Sequence, residues 1–257
     1  MGSRVDVVTV HDEVDGAVLR LTLDNGKHNL LTGDMYRQLC ELLTRFMNDD
    51  ALKVAILAGT PGNSFCGGDD LRARPRPAVM TPHWPTVLWA MPRNKPLIAA
   101  IDGWCLGGGF AVLLNATDMR VATPEAKFGF PEIRYGMGGL GGATRLAKHL
   151  PRTVAMEMLL TGDYMTAAEA KRYDLVNRVV PADDLMSAAD DLAARVARHP
   201  TLAIRTEMEA FTRSGDLSQA DAVAMTKTLA RYQMKLHEID NAYDDIKIER
   251  PEPLDLP

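Results

Sequence analysis

At 257 residues and 28.2 kDa the chain suits one large α/β domain with a short appendage, and it can bury a sizeable core. Hydrophobic residues at 46 % and charged residues at 25 % exclude a disordered, collagen-like or disulfide-scaffold chain. Lys+Arg 29 against Asp+Glu 34 gives a net charge of −5, which excludes a global field for nucleic acid and leaves only a local basic spot for a small anionic ligand.

The three cysteines, Cys40, Cys66 and Cys105, are odd in number and lack CxxC spacing. They are expected to be free thiols in a reducing compartment, with no cysteine zinc site. The apolar run Val5–Val10 is too short for a signal h-region, and no stretch nears the ~18 apolar residues of a membrane helix, so a cytoplasmic protein without membrane attachment is expected.

Val5–Val10 and Ala17–Leu23 read as two strands joined by the turn 11–16. Leu30–Phe46 places apolar residues at helical spacings, and Lys53–Ala58 is a compact apolar strand, so β-helix-β and a parallel sheet follow. Residues 72–96 hold six prolines with Trp84 and Trp89, which predicts an irregular excursion with at most a short helix. Pro96–Ile101 repeats the strand pattern. Gly107–Asn115 has helix length after a glycine cluster, and Met119–Ala122 reads as a further strand. From Thr153 the pattern is helical: Thr153–Leu160, Thr166–Tyr173, Asp183–Arg198, Thr201–Phe211 and Leu217–Asn241, with one short strand at Leu175–Val180. The long Leu217–Asn241 helix is of the kind that packs on another surface.

Two glycine-rich loops follow consecutive strands: Ser64-Phe65-Cys66-Gly67-Gly68-Asp69-Asp70-Leu71, and Gly107-Gly108-Gly109 opening an apolar helix. Singly, each is also explained by a tight turn or by close packing. Together they can offer one N–H each to a single carbonyl oxygen at the strand ends, which is what an oxyanion hole requires. Glu132, after the aromatic stretch that ends in Phe130-Pro131, is a carboxylate whose desolvation would suit it as a general base; a solvated loop glutamate is the plain alternative. Gly136-x-Gly138-x-x-Gly141 matches the dinucleotide fingerprint in letters but lacks the preceding strand. No phosphate loop, HExxH or GxSxG occurs, and the six histidines are dispersed. His83, beside Trp84, is the single histidine in the expected cover loop.

The strings at 64–71, Lys95–Phe110 and Phe128–Glu132 resemble the crotonase family of enoyl-CoA hydratases and isomerases. The likeness runs from about Val5 through Leu160-Thr161-Gly162 and Thr166–Ala170 to Leu175–Val180, and on as a helical tail. It implies an α/β fold with a spiral ββα core over 1–200 and a C-terminal helical region over 201–257 that serves assembly and completes the acyl-CoA site. It further implies a homotrimer or hexamer, an acyl-CoA thioester as substrate and no cofactor or metal, CoA being part of the substrate. Backbone N–H groups of Asp69 and Gly108 would polarise the thioester carbonyl. Gly68, Arg72, Lys27 and Trp84 would contact substrate, Arg72 and Lys27 as basic residues near the CoA phosphates, and Trp84 and Trp89 as walls of the acyl pocket.

One departure bears on the reaction. Family hydratases commonly carry a glutamate two residues after the Gly-Gly-Gly cluster, where this chain has Ala111, leaving Glu132 as the one expected acid. A methyl group neither activates water nor donates a proton, whereas a single carboxylate can shuttle a proton between two carbons. Double-bond isomerisation is therefore the favoured expectation. Hydration by Glu132 with help from His83 or Tyr135, and silent acyl-CoA binding, are the alternatives. The stretch Tyr135–Gly142, one residue shorter than usual and lacking an acid, predicts a reshaped pocket wall.

Overall fold

The computed structural model describes residues 7–12, 16–72 and 83–240. Parts of three readings lie outside them: the start of the first strand, the middle of the first turn and the proline-rich stretch 73–82. Asn241, the end of the last helix, also lies outside. The strands are β1 (Val7–Asp12), β2 (Val18–Asp24), β3 (Val54–Gly59), β4 (Leu97–Ile101), β5 (Trp104–Leu106), β6 (Met119–Ala122), β7 (Lys127–Gly129), β8 (Met165–Thr166) and β9 (Arg178–Val179). The helices are α1 (Gly33–Asn48), α2 (Trp84–Ala90), α3 (Gly108–Ala116), α4 (Leu140–Leu146), α5 (Arg152–Thr161), α6 (Ala167–Arg172), α7 (Leu185–Ala197), α8 (Thr201–Ser214) and α9 (Gln219–Asp240). Two compact units result, residues 1–92 with 96–198, and residues 93–95 with 199–257. In the second, α8 and α9 pack on each other.

The first unit is α/β. A six-stranded sheet runs β1-β2-β3-β4-β6-β9, antiparallel only at the β1–β2 hairpin. Alternation along the strands sorts their apolar runs onto two faces. Val54, Ile56, Ile98 and Ala100 face α7, with Ala189 and Ala193 in the same cluster. Ala55, Leu57, Leu97 and Ala99 belong to the main core, which includes the buried faces of α1 and α3. Thr32 caps α1 by accepting from the Met35 N–H at 3.2 Å, so that helix starts at Gly33, three residues after Leu30, and buries Met35, Tyr36, Leu39, Cys40 and Leu43. α3 is buried all round from Gly109 to Ala116, as suits a helix apolar but for Asn115, whose amide donates to the Ala111 and Gly141 carbonyls.

The expected strand 175–180 is reduced to Arg178–Val179. The N–H of Leu175 bonds back to Ala170 at 2.8 Å, so the turn that ends α6 takes the residues the apolar pattern assigned to the strand. Leu140–Leu146 is helical where only a reshaped wall was expected; its glycines lie flush against aromatic rings, a Cβ on Gly142 falling 1.7 Å from Phe130 Cζ and one on Gly141 2.1 Å from Trp89.

Arg120 on β6 is 5 % exposed. Its guanidinium donates to Thr117 Oγ1 at 3.0 Å and to the carbonyls of Leu175, Thr117 and Leu113 at 3.1, 3.2 and 3.3 Å. Arg120→Met removes the guanidinium from Thr117 Oγ1 and from the Leu175 and Thr117 carbonyls, while the Leu113 carbonyl keeps the N–H and hydroxyl of Thr117; each buried acceptor that loses its donor costs about 1–3 kcal/mol. We expect a lowered urea midpoint with an unchanged m-value; a midpoint equal to that of the native protein would contradict this role.

Candidate active site

A second, smaller sheet positions the site. β5 pairs with β7 in parallel, and β8 closes the far edge antiparallel to β7. On the other side Cys66 bridges Cys105 in parallel, and Asp69 bridges Leu31. Cys66, Cys105 and Phe128 are therefore level on three neighbouring parallel segments. Two to four residues further on, at the C-terminal ends where open α/β sheets place ligands, come Gly68-Asp69, Gly107-Gly108 and Glu132. That shared register brings three stretches, far apart in sequence, to one spot.

The backbone at that spot is specialised. Gly68 has φ +108°, and a Cβ on it would lie 3.2 Å from the Leu106 carbonyl and 3.6 Å from the Gly108 nitrogen. The bonds to Leu31 are made by the Gly68 carbonyl and the Asp70 N–H, each at 2.8 Å. In a parallel ladder this turns the N–H of Asp69 to the opposite side, where β5 ends. Gly107 caps α3 at φ +52° and donates to the Gly129 carbonyl at 2.9 Å, while Gly108 opens the helix. N–H groups of a first helical turn have no acceptor within the helix and carry its positive end.

Glu132 sits in a 3-10 turn, Pro131–Tyr135, directly after β7. Its Oε1 lies 3.1 Å from where a Cβ on Gly107 would be, and its Oε2 is buried with no hydrogen-bond partner among the described residues. Burial raises its pKa above the usual glutamate range, the negative charge of Asp69 adds to the rise, and its own backbone N–H opposes it. A base with that pKa ionises later than an ordinary glutamate. Turnover that depends on it is expected to rise with pH through a pKa above the normal carboxylate range; a limb at the ordinary glutamate value would contradict this.

Sequence reasoning missed one residue here. Tyr36, on the buried face of α1, donates its hydroxyl to Asp69 Oδ1 at 2.8 Å, and that carboxylate oxygen lies 2.2 Å from a Cβ position on Gly108. Burial, with Asp69, Cys66 and Glu132 nearby, pushes the Tyr36 hydroxyl well above the ordinary tyrosine pKa, so it stays a donor. Nothing in the α1 pattern marks this tyrosine as other than core.

The remaining candidates are dispersed around the site. Arg72 is exposed and reaches back to Asp70 Oδ1 at 3.2 Å, three residues after Asp69. Lys27 is exposed, its carbonyl accepting from the Ser64 N–H at 3.0 Å, beside the first glycine loop. Trp84 opens α2 partly buried against the main core. Trp89 lies against Gly141 and edge-on to His83, at 6.4 Å between ring centres. His83 is exposed and engages Thr86, and Tyr135 is 68 % exposed at the end of its turn. Ala111 is 2 % exposed in α3, its N–H bonded to the Gly107 carbonyl at 2.9 Å. Cys40, Cys66 and Cys105 are free and buried. Among the described residues no group of three or more His, Cys, Asp or Glu is arranged to hold a metal ion, and no helix is long and apolar enough to cross a membrane.

The family model for enoyl-CoA hydratase/isomerase matches residues 13–247. The chain belongs to that family, the crotonases. Among similar proteins of this family, the carnitinyl-CoA dehydratase of Proteus mirabilis (strain HI4320) is 35 % identical, over 90 % of this chain and 92 % of its own. The (E)-benzylidenesuccinyl-CoA hydratase of Thauera aromatica is also 35 % identical, over 80 % of this chain and 82 % of its own. The crystal structure of an enoyl-CoA hydratase from Mycobacterium tuberculosis H37Rv superposes with a TM-score of 0.78 at 32 % identity, covering 86 % of this chain and 88 % of that one. This crotonase is thus an acyl-CoA enzyme with the α/β fold that the sequence motifs imply.

Proposed function

We propose that this crotonase forms the enolate of an acyl-CoA thioester, holding the carbonyl oxygen between the N–H groups of Asp69 and Gly108 and moving the Cα proton through Glu132. The observation that carries this reading is the Glu132 carboxylate at the meeting point of the two glycine turns, its Oε2 buried with no hydrogen-bond partner among the described residues. A buried carboxylate oxygen without a donor is costly unless a bound group supplies its proton. Negative charge that develops on the thioester oxygen is stabilised by the two preorganised amides, at the positive end of α3.

With Glu132 as the one proton carrier, the enolate collapses by taking a proton at another carbon, which is double-bond isomerisation. Hydration or dehydration needs in addition a group that handles the proton of the β-oxygen, and the carboxylate of Asp69 beside Gly108 favours that second reading. Relatives named as a dehydratase and as a hydratase support it too. Native protein incubated with butyryl-, crotonyl-, 3-hydroxybutyryl- and longer or branched CoA thioesters in heavy water is expected to introduce deuterium at Cα. Binding of these thioesters without exchange in any of them would leave only a silent acyl-CoA binder.

A further inference from the structure

We infer that the Asp69 carboxylate is the second acid-base group of this site, standing in for the acid missing at Ala111 and giving the protein hydratase–dehydratase activity, with Tyr36 as its positioning residue. This rests on the enolate reading above.

Ala111 lies about one helical turn into α3, buried, where it offers no proton. The two carboxylates brought to the start of that helix are Glu132, over Gly107, and Asp69, over Gly108. They lie on adjacent residues of one turn and are close enough for the charge of Asp69 to raise the pKa of Glu132. Tyr36 binds Asp69 Oδ1 at 2.8 Å from a buried helix face that cannot move without disturbing the core. A carboxylate serving only as a solvated loop residue has no use for a buried phenol as its anchor. Gly108 is likewise the residue that leaves room for it, since a Cβ there would fall 2.2 Å from Oδ1.

In hydration of a 2-enoyl thioester, the Asp69 carboxylate takes a proton from water as the water oxygen adds to Cβ. The electron pair of the Cα=Cβ bond passes into the enolate, and protonated Glu132 delivers its proton to Cα, so Asp69 ends protonated and Glu132 ionised. Dehydration is the same sequence reversed: ionised Glu132 takes the Cα proton, and the Cβ hydroxyl leaves as water with the proton of Asp69. One residue then serves both ends of the acyl group, by its N–H on the thioester oxygen and by its side chain on the β-oxygen.

The test compares native protein with Asp69→Asn, Asp69→Glu and Tyr36→Phe on the thioesters named above. Water addition is read by oxygen-18 incorporation, Cα proton transfer by deuterium exchange, and bond position by NMR. For Asp69→Asn the ratio of water addition to Cα exchange is expected to fall ~10²-fold or more, within the range for losing a positioned acid-base group. Tyr36→Phe is expected to lower the same ratio about tenfold and to shift the pH profile of water addition, and Asp69→Glu to recover part of it. An unchanged ratio in both Asp69→Asn and Tyr36→Phe overturns the assignment, as does a parallel fall of both rates, which would make Asp69 a structural cap of α3. If Asp69→Asn does not fold, the Tyr36→Phe ratio alone decides. Absence of Cα exchange in native protein with every thioester would instead bring down the enolate reading itself.

Discussion

Glu132→Gln is expected to lower thioester turnover and Cα exchange by ~10²–10⁴, the range for removing a positioned general base. The substitution keeps the shape of the side chain and its bond from the local backbone. It removes only the ability to accept a proton. A general destabilisation would give the same kinetic loss, so the sign of the stability change matters. Burial raises the Glu132 pKa in the folded state above its unfolded value, so the native protein binds more protons than the unfolded chain between those two values. Stability therefore falls as pH rises through that window, and at neutral pH the ionised carboxylate is a liability. Gln removes the charge, so the variant is expected to melt at or above the native temperature at pH 7, with the gap closing below the ordinary glutamate pKa. A variant that retains native turnover, or that loses it only by unfolding, would contradict this role.

Gly108→Ala is expected to reduce kcat/KM by ~10² or more. The backbone at Gly108 opens an α-helix and is open to an alanine, so the effect is one of contact alone. The added methyl carbon would sit 2.2 Å from Asp69 Oδ1 and 2.7 Å from the Tyr36 hydroxyl oxygen, well inside contact distance. Either the Asp69 side chain and its loop move or α3 does, and each displaces one of the two amides proposed to hold the thioester oxygen. Displacing one donor of such a pair typically costs ~10²–10³ in rate. Gly215→Ala is the control, because a Cβ there meets nothing within 4 Å among the described residues. Equal kinetics for the two variants would show that the Gly108 position does not shape the site.

The larger pattern was readable from the sequence because it is written in long apolar runs. The β-helix-β opening and the buried α3 follow from alternation in Val18–Asp24, a period of about four in Gly33–Asn48, and the unbroken apolar runs within Val54–Gly59 and Gly108–Ala116. The small sheet that assembles the site was not readable. Trp104–Leu106 and Lys127–Gly129 are three residues each, too short to show a period, and their partner segment around Cys66 pairs through an isolated bridge. α4 was hidden by Leu140-Gly141-Gly142, a poor helix former that is helical because its glycines fit against Phe130 and Trp89.

Glu132 and the two glycine turns stood out as letters, while their meeting depends on a register that no local pattern encodes. Tyr36 could not be distinguished from a core aromatic, since its hydroxyl partner is 33 residues away. The reading of Ala111 as the loss of a second acid considered only the position along α3. The carboxylate found next to that helix comes from the loop of the neighbouring parallel segment.

The most direct measurement of the central claim is Cα deuterium exchange into CoA thioesters in heavy water, native protein and Glu132→Gln side by side, with thioester binding measured for both. Exchange in the native protein that Glu132→Gln reduces by ~10² or more at comparable thioester affinity is the result expected of a Glu132-driven enolate. Exchange that persists in Glu132→Gln at the native rate would contradict it.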